Sequence, residues 1–241
     1  MLFKSTLVPG ILIQRYKRFL ADIELEDGTR VTAHCANPGS MKTVAEPGAK
    51  VWINEASNPN RKLKWDWQLI ELKEALVSIN TSLPNTIAEE AISCGLISEL
   101  GGYEQLKREV KYGENSRIDM LLTADGKPDC YVEVKNVNMM RNQGTAEFPD
   151  SVTARGAKHL KELATMVAQG QRAVMLFIVQ RTDCRSFKLA GDIDARYQLA
   201  FKEALDAGVE ALCYSCAIST REIKVDRALP IELDSDQQNL Y

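Results

Sequence analysis

Apolar positions in the first third of the chain come in short runs that alternate with polar residues and are cut by turn formers. The runs lie at 11–13, 19–25, 30–34, 51–53, 65–72 and 75–79. Glu26-Asp27-Gly28-Thr29 is a hairpin signal, and Asn37-Pro38-Gly39-Ser40 and Pro47-Gly48 are further breaks. Some five or six short strands so spaced predict a small β-barrel. The pattern changes at Ser82-Leu83-Pro84-Asn85. A helix is predicted over 86–93, with Ile87, Ala91 and Ile92 on one side and Gly95 as its stop. Strands follow at 107–113, 118–122 and 130–134, with turn signals at Gly113-Glu114-Asn115-Ser116 and Asp125-Gly126-Lys127-Pro128. The third strand continues through 137–140. A helix over 150–169 carries Val152, Leu160, Leu163, Ala164 and Val167 as its apolar stripe. The unbroken apolar run at 173–180 suits a central strand covered on both faces. A helix at 193–207 and a last strand at 209–218 follow. The fold class is mixed α/β: a barrel over 1–83, a mixed sheet flanked by helices over 84–233, and a flexible polar tail over 234–241.

The hairpin 118–134 holds the candidate chemistry. Asp119 lies on its first strand and Glu133 and Lys135 on its second. Alternation puts Glu133 and Lys135 on one face and Val132 and Val134 on the other. Charges in so apolar a strand are costly to bury unless a metal or a partner meets them. Two carboxylates and a lysine suit a hard divalent cation, Mg²⁺ or Mn²⁺, and a phosphate oxygen.

Asp119, a gap of thirteen residues and then Glu133-Val134-Lys135 resemble the core of the PD-(D/E)xK, restriction-endonuclease-like superfamily. The wider wording is similar to the sugar fermentation stimulation protein family. It includes Glu109-Val110-Lys111-Tyr112-Gly113, Ser116-Arg117-Ile118-Asp119, Asp129 to Lys135, and Phe148-Pro149-Asp150 with Arg155 to Leu160. The resemblance spans nearly the whole chain except its last eight residues. It implies an OB-like, nucleic-acid-binding barrel followed by a nuclease-like domain. It also implies that Asp119 and Glu133 hold the metal, that Lys135 positions or deprotonates water, and that Glu90, on the helix before the sheet, is a further acidic ligand. A solvated first-turn glutamate is the alternative for Glu90.

Nucleic-acid contacts are expected from two places. Around Lys62-Leu63-Lys64-Trp65-Asp66-Trp67, Trp65 and Trp67 share a strand face as a stacking platform would, with Lys62 and Lys64 beside them. The alternative is that both indoles fill the barrel. On the other side, Arg117 shares a face with Asp119, and Arg155, Lys158 and His159 lie on the helix expected against the hairpin. Arg117 either pairs with Asp119 or reaches a phosphate, and the helix residues either meet phosphate, orient water or form a surface network with Glu162. Asn37 to Met41 reads as a phosphate-binding turn or as a plain tight turn.

Composition adjusts this picture slightly. The 241 residues carry a net charge of −3 with 45% hydrophobic and 26% charged positions, which is ordinary for a globular chain. An acidic balance does not advertise a nucleic-acid binder, but residues 1–81 carry about +2 and the remainder about −5. No apolar run spans a bilayer and no leader is evident, so a cytoplasmic, non-membrane protein is expected. Cys213 and Cys216 form a C-x-x-C on a strand, where they face opposite ways, so no zinc site is expected. No P-loop or dinucleotide fingerprint is present. Two functions stay open: a Mg²⁺- or Mn²⁺-dependent nuclease on DNA or RNA, single- or double-stranded, and a non-catalytic, non-sequence-specific DNA-binding regulator of sugar metabolism. The acid and lysine set favours the first, and two-strand cutting would call for a homodimer. A protein-binding module gains only from the acidic balance.

Overall fold

The computed structural model describes residues 1–73, 75–113 and 116–233. Part of the turn at Gly113-Glu114-Asn115-Ser116 and the expected tail over 234–241 lie outside the described residues. Strands β1 (Val8–Tyr16), β2 (Leu20–Leu25), β3 (Arg30–Cys35), β4 (Lys50–Glu55), β5 (Trp65–Leu72) and β6 (Ala75–Ser78) follow the sequence-based runs closely. They form one sheet in the order β3-β2-β1-β4-β5-β6. A parallel pairing of β3 with β5 through Ala33–Trp65 and Cys35–Trp67 closes five of them into a barrel. Register shifts at Leu12/Gln14 and Trp52/Ile53 supply curvature that closure needs. Leu12, Ile23, Ile53, Trp67 and Ile70 fill the interior.

Helix α1 (Pro84–Ser93) starts with proline in its first turn, where a missing N–H costs nothing. Then come β7 (Gln105–Tyr112), β8 (Ser116–Thr123), β9 (Cys130–Val137), β10 (Met139–Asn142), β11 (Thr145–Phe148), α2 (Ala154–Ala168) and β12 (Arg172–Val179). The chain continues through β13 (Ser186–Leu189), α3 (Ala195–Asp206), β14 (Glu210–Ile218), β15 (Ile223–Ala228) and β16 (Ile231–Glu232). The main sheet runs β15-β14-β12-β9-β8-β7, with β9, β12 and β14 parallel to one another. One face carries α1 and the other α2 and α3. Val132 and Val134 pack in the first layer; Leu160, Leu163 and Phe201 belong to the second. Barrel residues Trp52 and Leu69 join the α1-side core, so barrel and sheet share apolar packing. The whole is a barrel followed by a helix-flanked mixed sheet, as the sequence pattern implies.

Three sequence-based expectations differ from the fold. Strand 209–218 is not the last, because β15 and β16 follow it. Helix α2 begins at Ala154 rather than at 150–151. Its cap is Thr153, whose side chain accepts from Gly156 N–H, and Asp194 holds the Thr153 N–H at 2.7 Å. Val152 therefore precedes the helix and stands 70% exposed. Residues 1–3 run with the main sheet instead of the barrel: Leu2 bridges Glu222, and Phe3 N–H donates to Arg221. Cys213 and Cys216 point into opposite layers, as alternation requires. Among the described residues no helix is long and apolar enough to cross a membrane.

Candidate active site at the fork of two strands

The β8–β9 ladder pairs only Met120, Leu121 and Leu122 with Val132, Tyr131 and Cys130. Beyond Val132 the strands part, and Val134 N–H has no ladder partner from β8. Asp119 occupies the fork and takes that N–H on Oδ2 at 2.8 Å. Its other oxygen accepts from Asn85 Nδ2, also at 2.8 Å, in the first turn of α1. The regular alternation of β8 breaks here, since Ile118 packs in the α2-side layer and Met120 in the α1-side layer. Facing Asp119 on β7, Glu109 adopts φ +55°.

Glu133 is only 2% exposed. One oxygen, Oε1, receives Lys135 Nζ at 2.6 Å and His159 Nδ1. The other, Oε2, is buried with no hydrogen-bond partner. His159 in turn accepts from Arg155 Nε at 3.2 Å through its Nε2, so the ring carries its proton on Nδ1 and gives it to Glu133. Burial works against ionisation of Glu133, but the His159 bond and the Lys135 charge outweigh it and hold the carboxyl below its ordinary value. Asp119 moves the opposite way: burial, and then the Glu133 charge, push it up against the Val134 and Asn85 bonds.

This geometry fits a hard cation in one respect. Glu133 Oε2 is a buried oxygen donor without a partner, beside a second carboxylate. Among the described residues no three His, Cys, Asp or Glu side chains come together as a cage. Two carboxylates, with waters and a substrate oxygen completing the shell, is how Mg²⁺ is commonly held.

Glu90 is not brought to this cluster, which corrects that expectation. It is half exposed and pairs with the Met1 ammonium. Because α1 starts at Pro84, its first turn meets β8 through Asn85, and Glu90 lies five residues beyond Asn85, roughly 140° around the helix. The residue that meets Asp119 is the neutral amide of Asn85.

Two family models match the chain. The SfsA N-terminal OB domain covers residues 13–79, and the sugar fermentation stimulation protein RE domain covers 82–222. The chain belongs to the sugar fermentation stimulation protein family. A homologue from Roseobacter denitrificans is 54% identical over 235 residues, covering 97% of this chain and 100% of its own. One from Maricaulis maris is 52% identical over 233 residues, with 97% and 99% covered. A solved structure, Pyrococcus furiosus SfsA in complex with Ca²⁺, superposes with a TM-score of 0.85 at 28% identity, covering 97% and 98% of the two chains.

In this member of the family the remaining candidates divide. Trp67 is fully buried and donates its indole N–H to Leu69 O at 2.8 Å, so it cannot stack on a base. Trp65 is half-buried against the barrel core, while Lys62 and Lys64 are exposed. Two tryptophans spaced by two do share a face, but that face is the barrel interior. Arg117 donates to Glu109 O at 3.1 Å instead of meeting Asp119. Lys158 lies 3.5 Å from Glu162. The Asn37 turn is not a phosphate cradle: Asn37 Oδ1 takes Gly39 N–H, and Asp150 takes Met41 N–H.

Sequence reasoning missed Asn85, Tyr112 and the position of Glu162. Tyr112 is buried with its hydroxyl unpartnered, and burial, then Glu133, Glu162 and Asp119, push its ionisation far up. Glu162 is buried with neither oxygen hydrogen-bonded. An i, i+3 spacing from His159 was the available signal for Glu162.

Proposed function

We propose that this chain is a divalent-metal-dependent nuclease that hydrolyses phosphodiester bonds in DNA. The observation that carries the reading is the buried, unpartnered Oε2 of Glu133 beside Asp119 and Lys135 at the strand fork. The restriction-endonuclease-like fold and the Ca²⁺ named with the Pyrococcus furiosus relative support it. Asp119 and Glu133 would hold Mg²⁺ or Mn²⁺. When bound, the cation supplies charge neutralisation at the phosphate and a more acidic water. Asn85 and Val134 N–H fix the Asp119 carboxylate, and His159 fixes that of Glu133. Lys135, already aimed at Glu133, would orient the attacking water by donating a hydrogen bond to it. Arg155, exposed at the start of α2 and bonded to His159, would meet a phosphate oxygen. The OB barrel adds non-specific affinity through Lys62 and Lys64. Cutting of both strands would take two copies of the chain.

The test is incubation of labelled single- and double-stranded DNA and RNA with Mg²⁺, Mn²⁺ or EDTA. Metal-dependent cutting of DNA is expected; intact substrates under every condition would refute the reading.

A second reading has one observation in its favour: the relatives' names speak only of sugar fermentation. In that reading the chain is a non-catalytic DNA-binding regulator, and the fork is a structural cation site. Salt-sensitive binding without cutting would support it.

A further inference from the structure

A cleft of about 280 Å³ lies between the barrel turn 37–39, the segment 147–153 and the upper end of β9. We propose that this cleft binds one unpaired nucleobase of the strand whose phosphate lies at Asp119, Glu133 and Lys135. The inference rests on the nuclease reading for that phosphate, and adds to it a base-binding subsite.

Three amides, Asn37, Asn136 and Asn138, stand among the polar groups of the cleft. Asn136 directly follows Lys135, so its Cα lies about 3.8 Å from that of the lysine, with its side chain turned to the other face of β9 at the strand's end. Its Oδ1 is taken by Gln180 Nε2 at 2.5 Å, which leaves its NH₂ as the group to offer. Gln180 is itself tied to Asn80 O, Asn80 donates to Gln68, and Gln68 donates to Asn54, so a chain of amides fixes the orientation. Asn37 spends its Oδ1 on Gly39 N–H and likewise keeps its NH₂ free. Asn138 is 5% exposed, and its Nδ2 is buried with no partner. A buried donor of this kind costs free energy until something accepts from it.

The lining holds neither lysine nor arginine. Its two carboxylates are Glu147, saturated by Arg141, and Asp150, which retains acceptor capacity. A phosphate would meet like charge here without a cation to offset it. A base edge instead offers carbonyl and ring-nitrogen acceptors to amide donors, and an exocyclic amine to a carboxylate. Phe148, Pro149 and the exposed Val152 add apolar surface for a ring. The two walls are held close, because Gly39 leaves no room for a Cβ, which would stand 2.2 Å from Asp150 Oδ2.

The test uses single-stranded DNA oligonucleotides carrying 2-aminopurine at successive positions, bound to Lys135→Ala so that nothing is cut. A fluorescence change confined to one position is expected, and an abasic nucleotide there should weaken binding about tenfold. Asn138→Ala and Val152→Trp should both remove that position-specific signal. Val152 is exposed, so its variant blocks the mouth without disturbing the core. A response that is uniform along the strand, absent, or unchanged in Val152→Trp overturns the proposal. Cleavage of the same oligonucleotides by wild type separates the two readings. A position-specific signal without cutting keeps the base site and removes the nuclease. Cutting without a position-specific signal does the reverse.

Discussion

His159 gives its Nδ1–H to the same oxygen of Glu133 that Lys135 holds, which leaves Oε2 as the free face of a buried carboxylate. The arrangement sets orientation from behind and leaves ligation in front. Outer hydrogen bonds of this kind commonly align metal-binding acids.

His159→Ala should therefore act on both stability and metal binding. Losing a hydrogen-bond donor to a buried charge costs about 1–3 kcal/mol, read by urea unfolding. Mn²⁺ affinity, read by calorimetry, should fall about 10- to 100-fold. His159→Gln should recover part of each.

Asp119 and Glu133 carry opposite pH dependences. Asp119 has a raised pKa when folded, so its contribution to stability is present below its unfolded value of 3.8 and is lost as pH rises through the folded value. Glu133 is depressed, so its contribution is present above its unfolded value of 4.5 and is lost as pH falls through the folded value. Asp119→Asn should consequently raise the metal-free Tm at pH 7, while thermal stabilisation by Mn²⁺ disappears. A lower metal-free Tm at that pH would contradict this electrostatic account.

Gly39→Ala drives a methyl group into Asp150. Overpacking of this kind costs about 1–3 kcal/mol, and Asp150→Ala in the same chain should restore most of it. Denaturant midpoints of the two single variants and the double variant give the coupling directly.

Trp67 and Trp65 should separate in a substitution series. Trp67→Ala opens a cavity in the barrel and should cost about 3–5 kcal/mol. Trp65→Ala, at a half-buried site, should cost less and leave a folded chain for binding measurements. Equal losses from both would show that the two indoles share one environment.

The strands of the barrel were legible because alternation and turn residues are local signals, and β1 to β6 lie where those signals fall. The hairpin with Asp119, Glu133 and Lys135 was legible for the same reason. Glu90 and Trp67 were left between two readings because each depends on a rotation that sequence spacing leaves open: the phase of α1 against β8, and which strand face turns into the barrel. The start of α2 shifted because Thr153 caps it, held in place by a distant carboxylate, Asp194. The cleft was hidden for a further reason. Its donors come from the barrel turn and the end of β9, and its acceptor from the segment before α2, which meet only once barrel and sheet pack together.

The most direct test of the nuclease reading is single-turnover cleavage of labelled DNA with Mn²⁺, comparing wild type with Lys135→Ala and measuring binding in the same tubes. The account predicts wild-type cutting that EDTA abolishes, a loss of at least about a hundredfold in rate for Lys135→Ala, and unchanged affinity. Equal rates in the two proteins, or binding with no cutting by wild type, would contradict it.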